Sequence, residues 1–197
     1  MTILAVVTID KVSQIMSKRV LASSVILGLS VSSFPSHAAD ESVTEVMLAS
    51  KLDESRGYCI DIAGGQGANA PIEKGLQAHT CYNYTGGILE DQGFDVALLA
   101  ENQFRISYFD VCMTASSLEQ GATLGLNPCD GSKEQSFSLT AQGNIVSQSE
   151  PSLCVTVNST EKKEGRGGSP AHVMRPISLE LCEADSNDYQ TWVTNTL

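Results

Sequence analysis

Basic residues and aromatic rings are both scarce in this sequence. Twelve Lys and Arg stand against 23 Asp and Glu, a formal net charge of −11. That sign repels nucleic-acid phosphate and anionic membrane surfaces, so neither suits the chain as a partner. The acidity is read instead as solubility in an extracellular or saline setting. Histidine is scarce too, with three in all, and no two cysteines stand in a Cys-x-x-Cys spacing, so a zinc site has no motif. No Ser/His/Asp or Cys/His arrangement marks a nucleophile. No motif marks two opposed carboxylates of a glycosidase. No Gly-rich loop leads into a helix that would cradle phosphate. Catalysis and a bound cofactor are therefore not expected. The single apolar run is too short and too polar to span a bilayer, which argues against membrane insertion.

That run belongs to the N-terminus. Lys18 and Arg19 precede an apolar stretch over residues 20–34, diluted by several serines. Pro35 ends it, and Ser36-His37-Ala38-Ala39 offers small residues for cleavage. Basic, apolar, small is the order of a secretory signal peptide. Residues 1–39 are read as a cleaved signal, with Met16 as an alternative start, and the product as secreted or periplasmic. Removing the segment's net +2 from −11 leaves −13 on the mature chain. All six cysteines lie beyond it. Export and an even cysteine count together point to disulfides. Residues 40–50 read as a linker or a short turn of helix.

The remaining chain repeats one order of events three times. Tyr58-Cys59-Ile60-Asp61-Ile62 is followed by Gly75 to Cys81 and then by Gln92-Gly93-Phe94. Val111-Cys112-Met113-Thr114 is followed by Thr123 to Cys129 and then by Gln135-Ser136-Phe137. Leu153-Cys154-Val155-Thr156-Val157 is followed by Ile177 to Cys182 and then by Gln190-Thr191-Trp192. The runs around each cysteine alternate with period two, the mark of half-buried strands. Turn-rich stretches such as Gly64-Gly65-Gln66-Gly67 and Gly165-Arg166-Gly167-Gly168 separate them. Three units of about 45–50 residues (51–103, 104–147 and 148–197) predict an all-β closed structure with pseudo-threefold symmetry, because one unit cannot bury its apolar face alone. A propeller needs at least four blades. Six cysteines allow 15 pairings. The repeat selects Cys59–Cys81, Cys112–Cys129 and Cys154–Cys182, each closing its own unit and each contributing about 3 kcal/mol.

The three Gln-x-Phe/Trp motifs, the intra-repeat cysteine pairs and the Cys59-Ile60-Asp61 opening resemble the ricin B-type lectin family over about residues 51–197. The resemblance implies a β-trefoil of twelve strands, six in a barrel and six in capping hairpins, that binds galactose-like or other sugars without catalysis. It implies structural roles for Gln92, Gln135 and Gln190, and for Phe94, Phe137 and Trp192 as core rings.

A sugar site needs a carboxylate or amide for the hydroxyls and a ring for the C–H face. The family places an Asp two residues after the first Cys, a Gln and a ring four and two before the second, and an Asn or Asp before the Gln-x-Trp. Repeat one has Asp61, Gln77, His79 and Asp91 at those places. Repeat two has Thr114, Gly125, Asn127 and Glu134, and repeat three has Thr156, Ser178, Glu180 and Tyr189. Both lack the carboxylate after the first Cys, so one sugar site is expected, in repeat one. Blander readings stand beside it: Asp61 and Asp91 as turn residues, Gln77 as an outward strand residue, His79 as a packed strand residue. Tyr82 and Tyr84 are nearby candidates for further aromatic surface, with loop cover as their alternative. The run Glu161-Lys162-Lys163-Glu164-Gly165-Arg166 reads as a solvated insertion. The expected partners are glycans or glycoconjugates, with another secreted subunit as a further candidate. A degenerate trefoil acting as a protein-binding module, toxin cell-binding subunit or inhibitor is the competing function. Peptide mapping of the unreduced protein is expected to recover the three intra-repeat pairs and no free thiol; a cross-repeat pair would break the repeat reading.

Overall fold

The computed structural model describes residues 43–183 and 187–195. The expected signal peptide lies outside the described residues. Thirteen strands are seen among the described residues: β1 (Val43–Leu48), β2 (Tyr58–Ile62), β3 (Leu76–Thr80), β4 (Phe94–Asp95), β5 (Arg105–Ile106), β6 (Val111–Ala115), β7 (Leu124–Pro128), β8 (Phe137–Leu139), β9 (Ile145–Ser147), β10 (Leu153–Val157), β11 (Lys163–Glu164), β12 (Val173–Leu181) and β13 (Trp192–Asn195).

Six short strands close a ring. β1 pairs with β13 and β4, β4 with β5, and β8 with β9. Single bridges, Gln103 to Ser136 and Asn144 to Thr191, complete the circuit. Three hairpins, β2–β3, β6–β7 and β10–β12, cover one end. This is the β-trefoil, with β11 as an extra strand paired to β12. The core is built where hairpins and ring meet. Phe94, Phe104 and Phe137 are fully buried and stack edge to face at 6.2 and 6.4 Å. Trp192 joins them and donates its indole N–H to the Val155 carbonyl at 2.9 Å.

The hairpins share one register. Cys59 faces His79, Cys112 faces Asn127 and Cys154 faces Glu180. Two residues on, Asp61 faces Gln77, Thr114 faces Gly125 and Thr156 faces Ser178. The three expected disulfides are present, each with a Cα separation of 5.0 Å. Pairing each cysteine within its own hairpin ties the register to the covalent structure.

The segment expected to be a linker or helical turn is corrected. Of residues 40–50, Val43–Leu48 forms a ring strand whose Val46 and Leu48 are fully buried. Its pattern is obscured by two buried polar residues, Thr44 and Glu45. The trefoil therefore begins before Lys51. Likewise β9 opens the third group of strands, although it precedes Gln148. The first ring strand of each group lies N-terminal to its first cysteine, and in the first and third groups it falls outside the expected repeat. One helical turn, α1 (Val96–Ala100), follows β4 and is capped by Asp95, whose carboxylate accepts from the Leu98 amide.

Each motif glutamine is buried and makes the same three bonds. In repeat two, Gln135 Nε2 donates to the Pro128 carbonyl (2.9 Å) and to Thr114 Oγ1 (3.1 Å), and its Oε1 accepts from the Asp130 amide (2.9 Å). In repeat three, Gln190 bonds the Leu181 carbonyl, Thr156 Oγ1 and the Glu183 amide, all at 2.9 Å. In repeat one, Gln92 bonds the Thr80 carbonyl (3.1 Å), Asp61 Oδ2 (3.0 Å) and the Tyr82 amide (3.1 Å). Gln135→Ala is expected to cost about 2 kcal/mol in urea unfolding, because it strands backbone groups on both sides of Cys129. A loss below about 0.5 kcal/mol would show that water satisfies those groups equally well.

Candidate functional site

The hairpin of repeat one brings the four expected residues to one place. Asp61 and Gln77 are cross-strand partners on the face that also carries Cys59 and His79. Ile60, Ile62 and Ala78 point the other way, into the core. Gln77 Nε2 donates to Asp61 Oδ1 and Gln92 Nε2 to Asp61 Oδ2, each at 3.0 Å. Asp91 enters from the segment before Gln92. Its Oδ2 accepts from the Gln66 amide (3.0 Å) and the Gly67 amide (2.9 Å), which folds the Gly64–Gly67 loop over the hairpin. Its Oδ1 is buried and has no hydrogen-bond partner among the described residues.

Both acids are buried, and among the described residues neither is paired with a lysine or arginine; His79 Nδ1 lies 3.9 Å from Asp61 Oδ2. Asp61 is fully buried, and loss of water together with the charge of Asp91 holds its carboxyl well above the usual carboxylate range. Burial also raises Asp91, against the two loop amides that favour its ionised form. In their ionised form the two acids offer acceptors only. The site suits a ligand that brings hydroxyl hydrogens.

His79 is buried, and its Nδ1 lies 2.8 Å from the Thr80 carbonyl. That bond assigns the proton to Nδ1. Burial lowers its pKa to about 4. The ring is covered by Tyr82 (centroids 5.2 Å apart, 35° between planes) and by His172 (5.1 Å, edge-on). Tyr84 lies further out, half exposed, and its hydroxyl sits 2.8 Å from His172 Nε2. His172 comes from repeat three. The insertion there leaves as exposed β11, turns, and returns along β12, where Met174 faces His79. Arg56 ties the return to repeat one, donating to the Pro170 carbonyl (3.0 Å) and the Ala171 carbonyl (2.8 Å). Glu54 holds that guanidinium on both oxygens at 2.7 Å.

The four residues named from the sequence lie together in the structure, but their cover was not foreseen. Sequence reasoning named Tyr82 and Tyr84, and missed His172 and Glu45. Glu45 is the buried acid of β1, and Oε1 accepts from the Tyr82 and Asn83 amides (2.8 and 3.1 Å). No local signal marks either residue. Glu45 also lies within 4.8 Å of the sulfurs of Cys59 and Cys81. Those sulfurs are bonded to each other, so they are not thiolate ligands for a metal.

The corresponding place in repeat three is open. A cleft of about 370 Å³ is lined by Thr156, Ser178, Glu180, Tyr189, Asn158 and Gln120, among others. Glu180 is held over it by Ser178 Oγ (2.7 Å) and Gln120 Nε2 (3.1 Å). Repeat two offers Thr114, Gly125, Asn127 and Glu134, with neither ring nor carboxylate facing Thr114.

The ricin-type beta-trefoil lectin domain profile matches residues 49–192. The chain belongs to the ricin-type β-trefoil lectin family. Its fold is similar to the C-half of an earthworm R-type lectin solved with GalNAc (TM-score 0.52, 13% identity, 79% of this chain and 99% of that one). It is also similar to the agglutinin of Abrus precatorius (0.50, 18%, 79% and 48%) and to a non-toxic homologue of type II RIPs from Momordica charantia solved with α-methyl-D-galactoside (0.50, 17%, 78% and 47%). The ricin-type chain thus spans about half the length of those two plant chains. No curated protein matches it in sequence.

The neutral, buried His79 sets a pH dependence. The unfolded chain takes up this proton near pH 6.5 and the folded chain only near 4. Stability is therefore lost as pH falls through that window, by roughly 3 kcal/mol at most. Asp61, raised in the fold, works in the opposite sense. The parent, compared with His79→Phe by thermal unfolding from pH 7 to 4, is expected to show the steeper fall. Parallel curves would mean that His79 is protonated without loss of the fold.

Proposed function

We propose that this chain is an exported, non-catalytic lectin domain that binds a galactose-like sugar through a single site in repeat one. The observation that carries this reading is the pair of buried carboxylates. Asp61 is oriented by two glutamine amides, and beside it Asp91 keeps one oxygen without a donor. Leaving a buried acceptor unmade costs about 1–3 kcal/mol, which a sugar hydroxyl would recover. A carboxylate that already accepts from two amides still has lone pairs for a third donor. The plant and earthworm proteins solved with galactosides or GalNAc support a galactose-like preference. Lys18, Arg19 and the apolar run after them support export. One weak site, at about −4 kcal/mol for millimolar affinity, would reach useful strength on clustered glycans or beside another secreted subunit.

A second reading places the sugar in repeat three. It is favoured by the open cleft there, where the usual order is exchanged: the carboxylate, Glu180, stands at the ring's position, and the ring, Tyr189, stands before the glutamine.

A glycan array separates these readings. Residues 40–197, folded under oxidising conditions, are tested beside Asp61→Asn, Asp91→Asn and Glu180→Ala, with Trp192 emission as the folding control. Binding of galactosides that falls at least about tenfold (~1.4 kcal/mol) in both Asp variants and is unchanged in Glu180→Ala supports repeat one. The reverse pattern moves the site to repeat three. A folded parent that binds nothing at millimolar sugar sinks both, and leaves a protein-binding trefoil.

A further inference from the structure

We infer that Tyr82 occupies the place of the ligand in repeat one, and that its side chain must swing out, past a latch made by the repeat-three insertion, before a sugar can enter. The inference rests on the repeat-one reading of glycan binding.

Tyr82 meets one demand of such a ligand and comes near the other. Its ring lies against His79, the residue at the family's stacking position. Its hydroxyl end lies on the side of the acids, without a hydrogen bond to either. A Cβ built on Gly65 would lie 3.4 Å from Tyr82 Oη, 3.2 Å from Asp91 Oδ2 and 3.8 Å from Asp61 Oδ1, so the three oxygens crowd round one point of the loop. A phenol and a pyranose share this outline: a flat face for the ring and a hydroxyl for the carboxylates. Burial and both acids hold the Tyr82 hydroxyl protonated, pushing its pKa up. With Tyr82 in place, Asp61 is fully buried.

The side chain can move without the backbone. The Tyr82 amide donates to Glu45 Oε1 (2.8 Å) and to Gln92 Oε1 (3.1 Å), and the preceding residue, Cys81, is joined to β2 by the Cys59–Cys81 bridge. The chain at Tyr82 is anchored, so a rotation about the side-chain bonds is the available opening. No hydrogen bond of the Tyr82 hydroxyl resists it among the described residues. What resists is His172, packed edge-on against the Tyr82 ring at 5.5 Å and bonded to Tyr84 at 2.8 Å. Arg56 pins the segment carrying His172 through the Pro170 and Ala171 carbonyls. The latch therefore joins two distant parts of the chain, and weakening it should favour the open state.

Apparent affinity falls by the fraction of molecules that are competent to bind, so a site open a tenth of the time binds about tenfold more weakly than one always open. The test uses two readouts on the parent, Tyr82→Ala and His172→Ala. One is carbodiimide labelling of Asp61 and Asp91, read by peptide mass, which needs no sugar. The other is titration with methyl α-D-galactoside. Labelling of both acids is expected to rise severalfold in Tyr82→Ala and to a lesser degree in His172→Ala, with Kd falling about tenfold in Tyr82→Ala. Unchanged labelling in both variants overturns the gate. So does a galactoside Kd that rises in Tyr82→Ala, because Tyr82 would then be a contact and not an occupant. If labelling rises and no variant binds galactoside, the gate stands and the repeat-one sugar reading falls. Should Tyr82→Ala fail to fold, His172→Ala carries the same expectations, since its ring is not part of the core.

Discussion

One buried glutamine amide in each repeat, in the segment after the hairpin, joins the two halves of that repeat. Its oxygen takes the N–H just after the second cysteine, and its nitrogen gives one hydrogen to the carbonyl just before that cysteine. The second hydrogen goes to the side chain two residues past the first cysteine, which is Asp61, Thr114 or Thr156. All the amide's strong directions are thereby used inside the protein, as a buried amide requires. The ring two residues further on, Phe94, Phe137 or Trp192, then enters the core at a fixed angle. Disulfide, clamp and core ring form one unit, repeated around the barrel.

This constraint ties the candidate site to the scaffold. The position two past the first cysteine must accept a hydrogen bond in every repeat. Thr114 and Thr156 do so with a hydroxyl, and each hydroxyl donates its own hydrogen to the carbonyl of the cysteine two residues before (2.9 Å in both). These positions are satisfied within the hairpin. Asp61 accepts the same bond with a carboxylate and has nothing to donate when ionised, so it demands further donors. Gln77 supplies one. Asp91, pressed against it, adds a second acid and a second demand. The other repeats do not bury this pair: Thr114 and Thr156 stand at the place of Asp61, and Glu134 and Tyr189, neither of them buried, at the place of Asp91.

The insertion in repeat three breaks the pseudo-threefold symmetry. Its polar tip is exposed, as its mixed charge and glycines suggest, but its return strand runs beside β3 and sets His172 against the aromatic residues of repeat one. Arg175, on the same strand, is buried and gathers the carbonyls of Asn158 and Ser159 together with Asp53 and Tyr58. The insertion is thus anchored at its base and at its end. Repeat three lends its extra chain to repeat one and leaves its own cleft uncovered.

By itself, the sequence determined what is set within one hairpin. The cysteine pairs, 17 to 28 residues apart, the alternation of the strands and the glutamine bonds, 5 to 34 residues apart, all act within one repeat, where a short loop and a period-two pattern leave one register. Asp61 opposite Gln77 follows from that register alone. What joins different repeats was decided only by the tertiary structure. β1 is a strand because β13 closes the ring beside it, and Glu45 of β1 meets Asn195 across 150 residues. Tyr84 meets His172 across 88 residues, and Arg56 meets Ala171 across 115. No periodicity carries such contacts, because they depend on how three hairpins turn towards one another around a common barrel. Residue type and spacing therefore assembled the candidate site, and barrel closure determined that Tyr82 and a strand from another repeat would cover it.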